Sequence, residues 1–336
     1  MRAYGVILAG GRGERFWPLS TPERPKPFLR LFGGKSLLRT TYERLLGLFP
    51  PERLYLVVPP SLQALSQTEL PELPQENLLL EPEPKDTAHA VAFALRHLPE
   101  GVVGFFPADH FVGDEEAFRE DLGLALEAAR ELPGLLTLGV PPTHPATGYG
   151  YLEQGEEVGP RLFRVRRFLE KPKREVAQGL YRSGRHYWNA GIFLGRKEVW
   201  LEEFARHAPE VLAGTAPRIS LDHAVMERSE RVYMVPASFP WDDLGDWLAL
   251  ERHLKGEGEN LALARHVGLD TRGVIVYAQG EELIVTLGLE DLLIVRAGNV
   301  TLIARKDRVQ ELKALLRKIR EEAGFTPSGQ EGEPTP

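Results

Sequence analysis

Residues 4–20 read Tyr-Gly-Val-Ile-Leu-Ala-Gly-Gly-Arg-Gly-Glu-Arg-Phe-Trp-Pro-Leu-Ser. The opening run, residues 4–8, is short, apolar and stopped by glycines, which is the pattern of a buried strand. Leu8, Ala9, Gly10, Gly11 and Gly13 then form a loop in which backbone N–H groups can approach a phosphate with no Cβ in the way. Arg15 adds charge that backbone dipoles alone do not supply. Two familiar loops are excluded. A P-loop needs a Lys-Ser or Lys-Thr pair after its second glycine, and none follows here. The dinucleotide fingerprint needs a glycine or alanine where this chain has Phe16.

Working outward, strand and helix patterns alternate. Residues 36–48 carry Leu37, Leu38, Tyr42, Leu45 and Leu46 at helical spacing. Residues 54–58 read as a strand, and residues 88–98 as a helix with Thr87 as its N-cap. Residues 102–106 form a strand leading into Pro107-Ala108-Asp109-His110. A helix over 115–132 and a strand over 134–140 follow. This alternation implies a doubly wound, Rossmann-like, mixed but mostly parallel sheet flanked by helices. In such sheets ligands gather beyond the carboxyl ends of the strands, where the glycine loop and Asp109 both fall.

Residues 148–195 turn strand-rich, and are expected as a β excursion inserted into or appended to the sheet. Helices are expected at 197–206, 222–228 and 243–254, with a strand at 231–236. After the polar stretch 255–260 come several closely spaced β runs. They predict a small C-terminal β domain, partly β-helix-like, closed by a helix at 308–322. The expected division is a catalytic domain at 1–258, a β domain with its terminal helix at 261–324, and a tail at 325–336. That tail lacks apolar residues and is expected to be disordered.

Composition narrows the function. The chain has 336 residues and a net charge of −7, without basic runs, which disfavours a nucleic-acid partner. No stretch of about 20 apolar residues occurs, so no membrane span is expected. The start shows no secretory signal, and a cytoplasmic location is expected. There is no cysteine, which removes disulfides, thiolate metal sites and thiol nucleophiles. With 27 prolines, three methionines and asparagine only at Asn77, Asn189, Asn260 and Asn299, a thermophilic source is expected.

The glycine loop continues into Arg24-Pro25-Lys26-Pro27-Phe28. A lysine between two prolines predicts a stiff extended segment that fixes a cation. Further motifs follow in order: Glu81-Pro82 with Thr87-Ala88, Pro107-Ala108-Asp109-His110, Thr147-Gly148-Tyr149-Gly150-Tyr151 and Glu170-Lys171-Pro172. The last are Trp188-Asn189-Ala190-Gly191, Asp222-His223-Ala224-Val225-Met226-Glu227 and Trp241-Asp242-Asp243-Leu244-Gly245-Asp246-Trp247. Together they resemble the sugar-phosphate nucleotidyltransferases, and within them the mannose-1-phosphate guanylyltransferases, over residues 3–250. The chain departs from that pattern at Glu14-Arg15-Phe16, at Pro27, and at Lys85-Asp86-Thr87-Ala88-His89. It is too short for the isomerase domain of long bacterial relatives.

The resemblance implies GTP and α-D-mannose 1-phosphate as substrates, GDP-mannose and pyrophosphate as products, and Mg²⁺ as cofactor. It assigns Arg15 and Lys26 to the triphosphate and the transferring phosphoryl group, and Lys171 to the sugar phosphate. It assigns Asp109 and Asp243 to the metal, with Asp242 as the alternative to Asp243. Glu170, Asn189 and the backbone of Gly148 fall to the sugar, with Tyr149 either there or in packing. Guanine presents N1–H and an amino group on one edge, so a carboxylate matches it. Glu81 and Asp86 are the candidates, beside Thr87, and Asp86 has helix capping as its other role. A related enzyme for another nucleotide or sugar, or a silent regulatory homologue, stands as the alternative. The C-terminal strands need covering, so a homodimer is expected.

Overall fold

The computed structural model describes residues 1–11, 13–32, 34–256 and 258–322. Arg12 and the tail expected to be disordered lie outside them. The chain divides into two compact units: Met1–Gly10 with Leu38–Trp241, and Gly11–Leu37 with the chain from Asp242 onward.

The first unit holds a sheet of nine strands. These are β1 (Ala3–Leu8), β2 (Leu54–Val58), β3 (Leu78–Leu80), β4 (Val102–Pro107), β6 (Leu135–Val140), β7 (Tyr151–Gly159), β8 (Leu162–Leu169), β9 (His186–Arg196) and β10 (Val232–Pro236). A two-residue strand, β5 (Phe111–Val112), stands outside it. The order is β3-β2-β1-β4-β9-β6-β10-β8-β7. Strands β3, β2, β1 and β4 run parallel, and the interior of β1 is buried on both faces, as a parallel strand in the middle of a sheet requires. The helix Thr87–His97 buries Ala88, Val91, Ala94 and Leu95 against this sheet. The helix Glu115–Glu131 is capped by Asp114, whose carboxylate accepts the Glu116 and Ala117 N–H groups at 3.1 and 3.0 Å.

The strand-rich stretch enters the sheet both by insertion and by extension. Strand β9 lies in the middle of the sheet, antiparallel to both β4 and β6, and β7 and β8 extend the edge. Alternation along the chain reports which elements exist, and the order across the sheet is set by burial that alternation does not encode. The same stretch also contains a helix, Arg174–Arg182. The helix expected at 88–98 starts one residue earlier, and its cap is Asp86, which accepts the Thr87 N–H at 2.9 Å.

The chain passes to the second unit within β11 (Trp241–Asp242). This unit joins the glycine loop's downstream half to a helix at Trp247–Leu254 and to a β segment. In that segment β12 (Leu261–Leu263), β14 (Ile275–Ala278) and β16 (Leu292–Ala297) stack in parallel. Beside them β13 (Arg265–Leu269) and β15 (Leu283–Leu287) form a second parallel pair, and β17 (Val300–Arg305) closes β16 antiparallel. Two parallel stacks with short turns are the rungs of a small β-helix, around Val274, Val276 and Ile294. Phe16, Trp247 and Tyr277 stack in series, with centroids 5.3 and 5.4 Å apart. Within this unit the aromatic stack thus brings residue 16 to residues 247 and 277. Among the described residues no helix is long and apolar enough to cross a membrane.

Candidate active site

In the first unit, the carboxyl ends of β1, β2 and β4 are pinned together. The Ala9 N–H donates to the Val57 carbonyl at 3.1 Å, and the Ala108 N–H to the Leu8 carbonyl at 3.1 Å. Leu8, Ala9 and Gly10 thus end a buried strand at the carboxyl rim of the sheet, the rim that also carries Asp109. The Asp109 carboxylate lies 4.0 Å from His110 Nε2. The indole N–H of Trp241 donates to His110 Nδ1 at 3.3 Å. An indole only donates, so His110 carries its proton on Nε2, the nitrogen nearer Asp109. In the sequence His110 appeared only as the last residue of its motif, with no role assigned.

Glu81 follows β3 and is 7% exposed. Its Oε1 is buried and has no hydrogen-bond partner among the described residues. Burial pushes its pKa from 4.5 up to about 7, against the pull of a backbone hydrogen bond at Lys85. Asp86 is engaged differently. Its Oδ1 caps the helix at Thr87, and its Oδ2 accepts Arg218 Nε at 3.3 Å. The Thr87 hydroxyl accepts the Leu221 N–H at 2.8 Å. Of the two guanine candidates, Glu81 alone presents an unmet acceptor.

The sugar candidates converge around Gly150. The Asn189 N–H donates to the Gly150 carbonyl at 2.8 Å, and the Lys171 N–H to the Tyr149 carbonyl at 3.2 Å. A Cβ on Gly150 would lie 2.5 Å from Glu170 Oε2 and 3.2–3.3 Å from Phe168 and Asn189, so a side chain there would push on the Glu170 carboxylate. A Cβ on Gly148 would meet nothing within 4 Å. Tyr149 stacks edge-on between Trp188 and Trp241, at 4.9 and 5.2 Å. Lys171 pairs with Glu170, whose side chain is 6% exposed. Asn189 Nδ2 donates to Asp222 Oδ1 at 2.9 Å. Burial and the nearby Glu170 carboxylate push Asp222 up to about 7. Sequence reasoning gave Asp222 no role, and its only signal was its place in a quoted motif.

In the second unit, Lys26 is buried and donates from Nζ to the Asp243 carbonyl at 2.6 Å. It opens a 3₁₀ turn, Lys26–Phe28, so the expected extended segment is corrected. Two flanking prolines fix φ, and that φ suits the 3₁₀ turn as well as an extended chain. Gly13 is left-handed at φ 62, and a Cβ there would collide with Lys26 Cβ. Its glycine is needed for the lysine to pack. Arg15 donates to the Gly245 carbonyl at 3.4 Å, while its buried Nε has no partner among the described residues. Gly11 is exposed.

The two adjacent aspartates separate cleanly. Asp242 Oδ1 accepts the Leu244 N–H at 2.8 Å. Its Oδ2 takes Arg252 at 2.8 and 3.1 Å and His253 at 3.0 Å. Those cationic and N–H partners hold its pKa below the usual range against the cost of burial, which alone would raise it. Its acceptor capacity is consumed structurally. The helix expected from 243 begins instead at Trp247 with Asp246 as its cap, which leaves Asp243 in the preceding loop. Among the described residues no three metal-ligating side chains cluster.

Residues 264–319 match the MannoseP isomerase/GMP-like beta-helix domain. The chain is 34% identical over 360 residues to mannose-1-phosphate guanylyltransferase of Escherichia coli K12, covering 95% of this chain and 74% of that one. It is 33% identical to alginate biosynthesis protein AlgA of Pseudomonas aeruginosa, covering 94% of this chain and 71% of that one. A solved structure from Thermus thermophilus, described as a mannose-1-phosphate geranyltransferase, superposes with a TM-score of 0.87 at 41% identity, over 95% of this chain and all of that one. Residues 4–257 match the Nucleotidyl transferase family, and on that span the chain belongs to it.

Proposed function

We propose that the chain transfers GMP from GTP to α-D-mannose 1-phosphate, giving GDP-mannose and pyrophosphate. The observation that carries the reading is Glu81, a buried carboxylate whose unmet oxygen matches the paired donors of guanine. The names and extent of the similar relatives support the mannose branch.

The chemistry asks little covalent work of the protein. The sugar phosphate oxygen attacks the α-phosphorus in line with the departing pyrophosphate. The enzyme positions two polyanions and offsets their charge. Gly10, Gly11 and Gly13 offer backbone N–H groups to the triphosphate, Leu8 and Ala9 carry that loop on the end of β1, and Thr87 lies on the base side. Arg15 and Lys26 are fixed cations, each aimed by a backbone carbonyl near Asp243. Lys171, largely exposed, supplies a mobile charge to the sugar phosphate. Glu170 and Asn189 accept from and donate to the sugar hydroxyls, with Gly148 and Tyr149 at their flank. For Mg²⁺ we assign Asp109 and Asp243, since Asp242 is already consumed. The metal would screen phosphate charge and orient the reacting oxygens.

The division into a nucleotidyltransferase domain at 1–258 and a β domain at 261–324 is part of this proposal. So are a cytoplasmic location, a thermophilic source and a homodimer. Composition supports the source, as does the similar Thermus protein.

One assay tests the function. Purified protein, Mg²⁺, each nucleoside triphosphate and each sugar 1-phosphate are mixed, and pyrophosphate is measured. Release with GTP and mannose 1-phosphate is expected. Release only with UTP or dTTP would move the assignment to a related enzyme, and no release with any pair would point to a silent homologue.

A further inference from the structure

The motif Asp222–Glu227 has no part in the chemistry above, yet its geometry is unusual. Residues Asp222–Met226 form a single π-helical turn, in which the Glu227 N–H donates to the Asp222 carbonyl at 2.9 Å. Such turns are rare and recur at functional sites. This one presents two carboxylates, one at each end. Asp222 Oδ1 accepts Asn189 Nδ2 at 2.9 Å. Glu227 Oε1 accepts the backbone N–H of Glu170 at 2.7 Å, and its Oε2 meets His223 Nδ1 at 2.8 Å. The two ends of one turn thus hold the two residues assigned to the sugar.

The hold on Asn189 is specific. Its Oδ1 accepts from the Thr137 hydroxyl at 3.1 Å and from the Gly191 N–H at 3.1 Å. A flipped amide would set its NH₂ group against the Gly191 N–H, which can only donate, and its oxygen against a carboxylate. The amide therefore has one orientation, with one N–H spent on Asp222 and the other left to donate. Glu170 is held through its backbone while its side chain stays within reach of Lys171. The turn is itself anchored. The Leu221 N–H donates to the Thr87 hydroxyl at 2.8 Å, and Ile219 exchanges backbone hydrogen bonds with Lys85 and Ala88 at 3.2 and 3.4 Å.

We propose that Asp222 and Glu227 are positioning residues for the sugar phosphate. Asp222 fixes the direction of the Asn189 amide, and Glu227 fixes the backbone from which Glu170 projects. Neither needs to touch the substrate. This rests on the assignment of Asn189 and Glu170 to the sugar.

The test compares Asp222→Ala, Asp222→Asn, Glu227→Ala and Thr137→Val in steady-state pyrophosphate release. Asp222→Ala and Glu227→Ala should raise KM for mannose 1-phosphate about tenfold, the worth of one hydrogen bond to a charged group, with KM for GTP within about twofold. Asp222→Asn retains a carbonyl oxygen toward Asn189 and should rescue KM to within about threefold of wild type. Thr137→Val removes the opposing clamp with little change in shape, and should raise the sugar KM in the same sense even if Asp222→Ala does not fold. An active wild type whose sugar KM is unmoved in folded Asp222→Ala or Thr137→Val would overturn the positioning role alone. Equal loss for both substrates would reduce these residues to structural ones. An inactive wild type would overturn the assigned function and this inference together.

Discussion

Glu81 offers the sharpest test of base recognition. Its pKa stands at about 7 instead of 4.5, because burial disfavours the charged form. The difference corresponds to about 3 kcal/mol of penalty on the carboxylate. Guanine's two donors offset that penalty only if the group is ionised when the base arrives. Binding then draws on the ionised fraction, about 90% at pH 8 and about 10% at pH 6, so the apparent KM for GTP should rise about tenfold between them. The sign follows from the raised pKa: the competent form is lost as pH falls through 7. Glu81→Gln is neutral at every pH and turns an amide N–H toward guanine. It should raise KM for GTP about 10- to 100-fold and flatten the pH dependence. Inosine triphosphate lacks the amino donor and should lose much of its disadvantage against GTP in that variant. The assay is pyrophosphate release at saturating mannose 1-phosphate from pH 6 to 8. A wild-type KM for GTP that is flat over this range, or a Glu81→Gln enzyme that still prefers GTP over ITP undiminished, would refute the reasoning.

Three further expectations concern other elements. Asp243→Ala and Asp109→Ala should abolish metal-dependent turnover in a folded protein. Asp242→Asn should act on stability instead, costing about 2 kcal/mol by weakening the charged hydrogen bonds to Arg252 and His253; a melting temperature and kcat on all three variants separate the roles. Gly13→Ala must adopt a left-handed backbone at about 1–2 kcal/mol and displace Lys26, so both melting temperature and kcat should fall, and an unchanged kcat would remove Lys26 from the reaction. On β13 and β15, Val267, Leu269, Leu283, Val285 and Leu287 share one exposed face in register, 51–68% accessible. A contiguous apolar face of five large side chains marks an interaction surface, and a second copy is its expected occupant. Light scattering should give two chains for the wild type and one for Val285→Glu, and a monomeric wild type would end the dimer assignment.

The parallel core of the sheet was legible because β1, β2 and β4 are short apolar runs stopped by Gly or Pro. The glycine loop was legible for the same reason. The central place of β9 was not, because nothing in residues 186–196 names the strands beside them. The helix starts were missed by one residue at Thr87 and by four at Trp247, and the caps are Asp86 and Asp246, where a hydroxyl and several carboxylates compete for the same N–H groups. The distinction between Asp242 and Asp243 depended on Arg252 and His253, one helix later. His110, Gly150 and Asp222 were quoted with their motifs, but their roles rest on partners 131, 39 and 33 residues away that spacing does not reveal.

The carbonyls that aim Arg15 and Lys26 lie 230 and 217 residues further along the chain. During synthesis at about 5–20 residues per second, the loop emerges some 10–40 seconds before the residues that hold it. Its charged and glycine-rich segment must wait, unable to take up its final form, while β2, β3 and β4 are being added. The loop that follows β1 is therefore among the last parts of this chain to mature, although β1 itself finds its partners in β2 and β4. A ribosome stalled before residue 243 would carry a chain in which neither Arg15 nor Lys26 has the carbonyl that holds it.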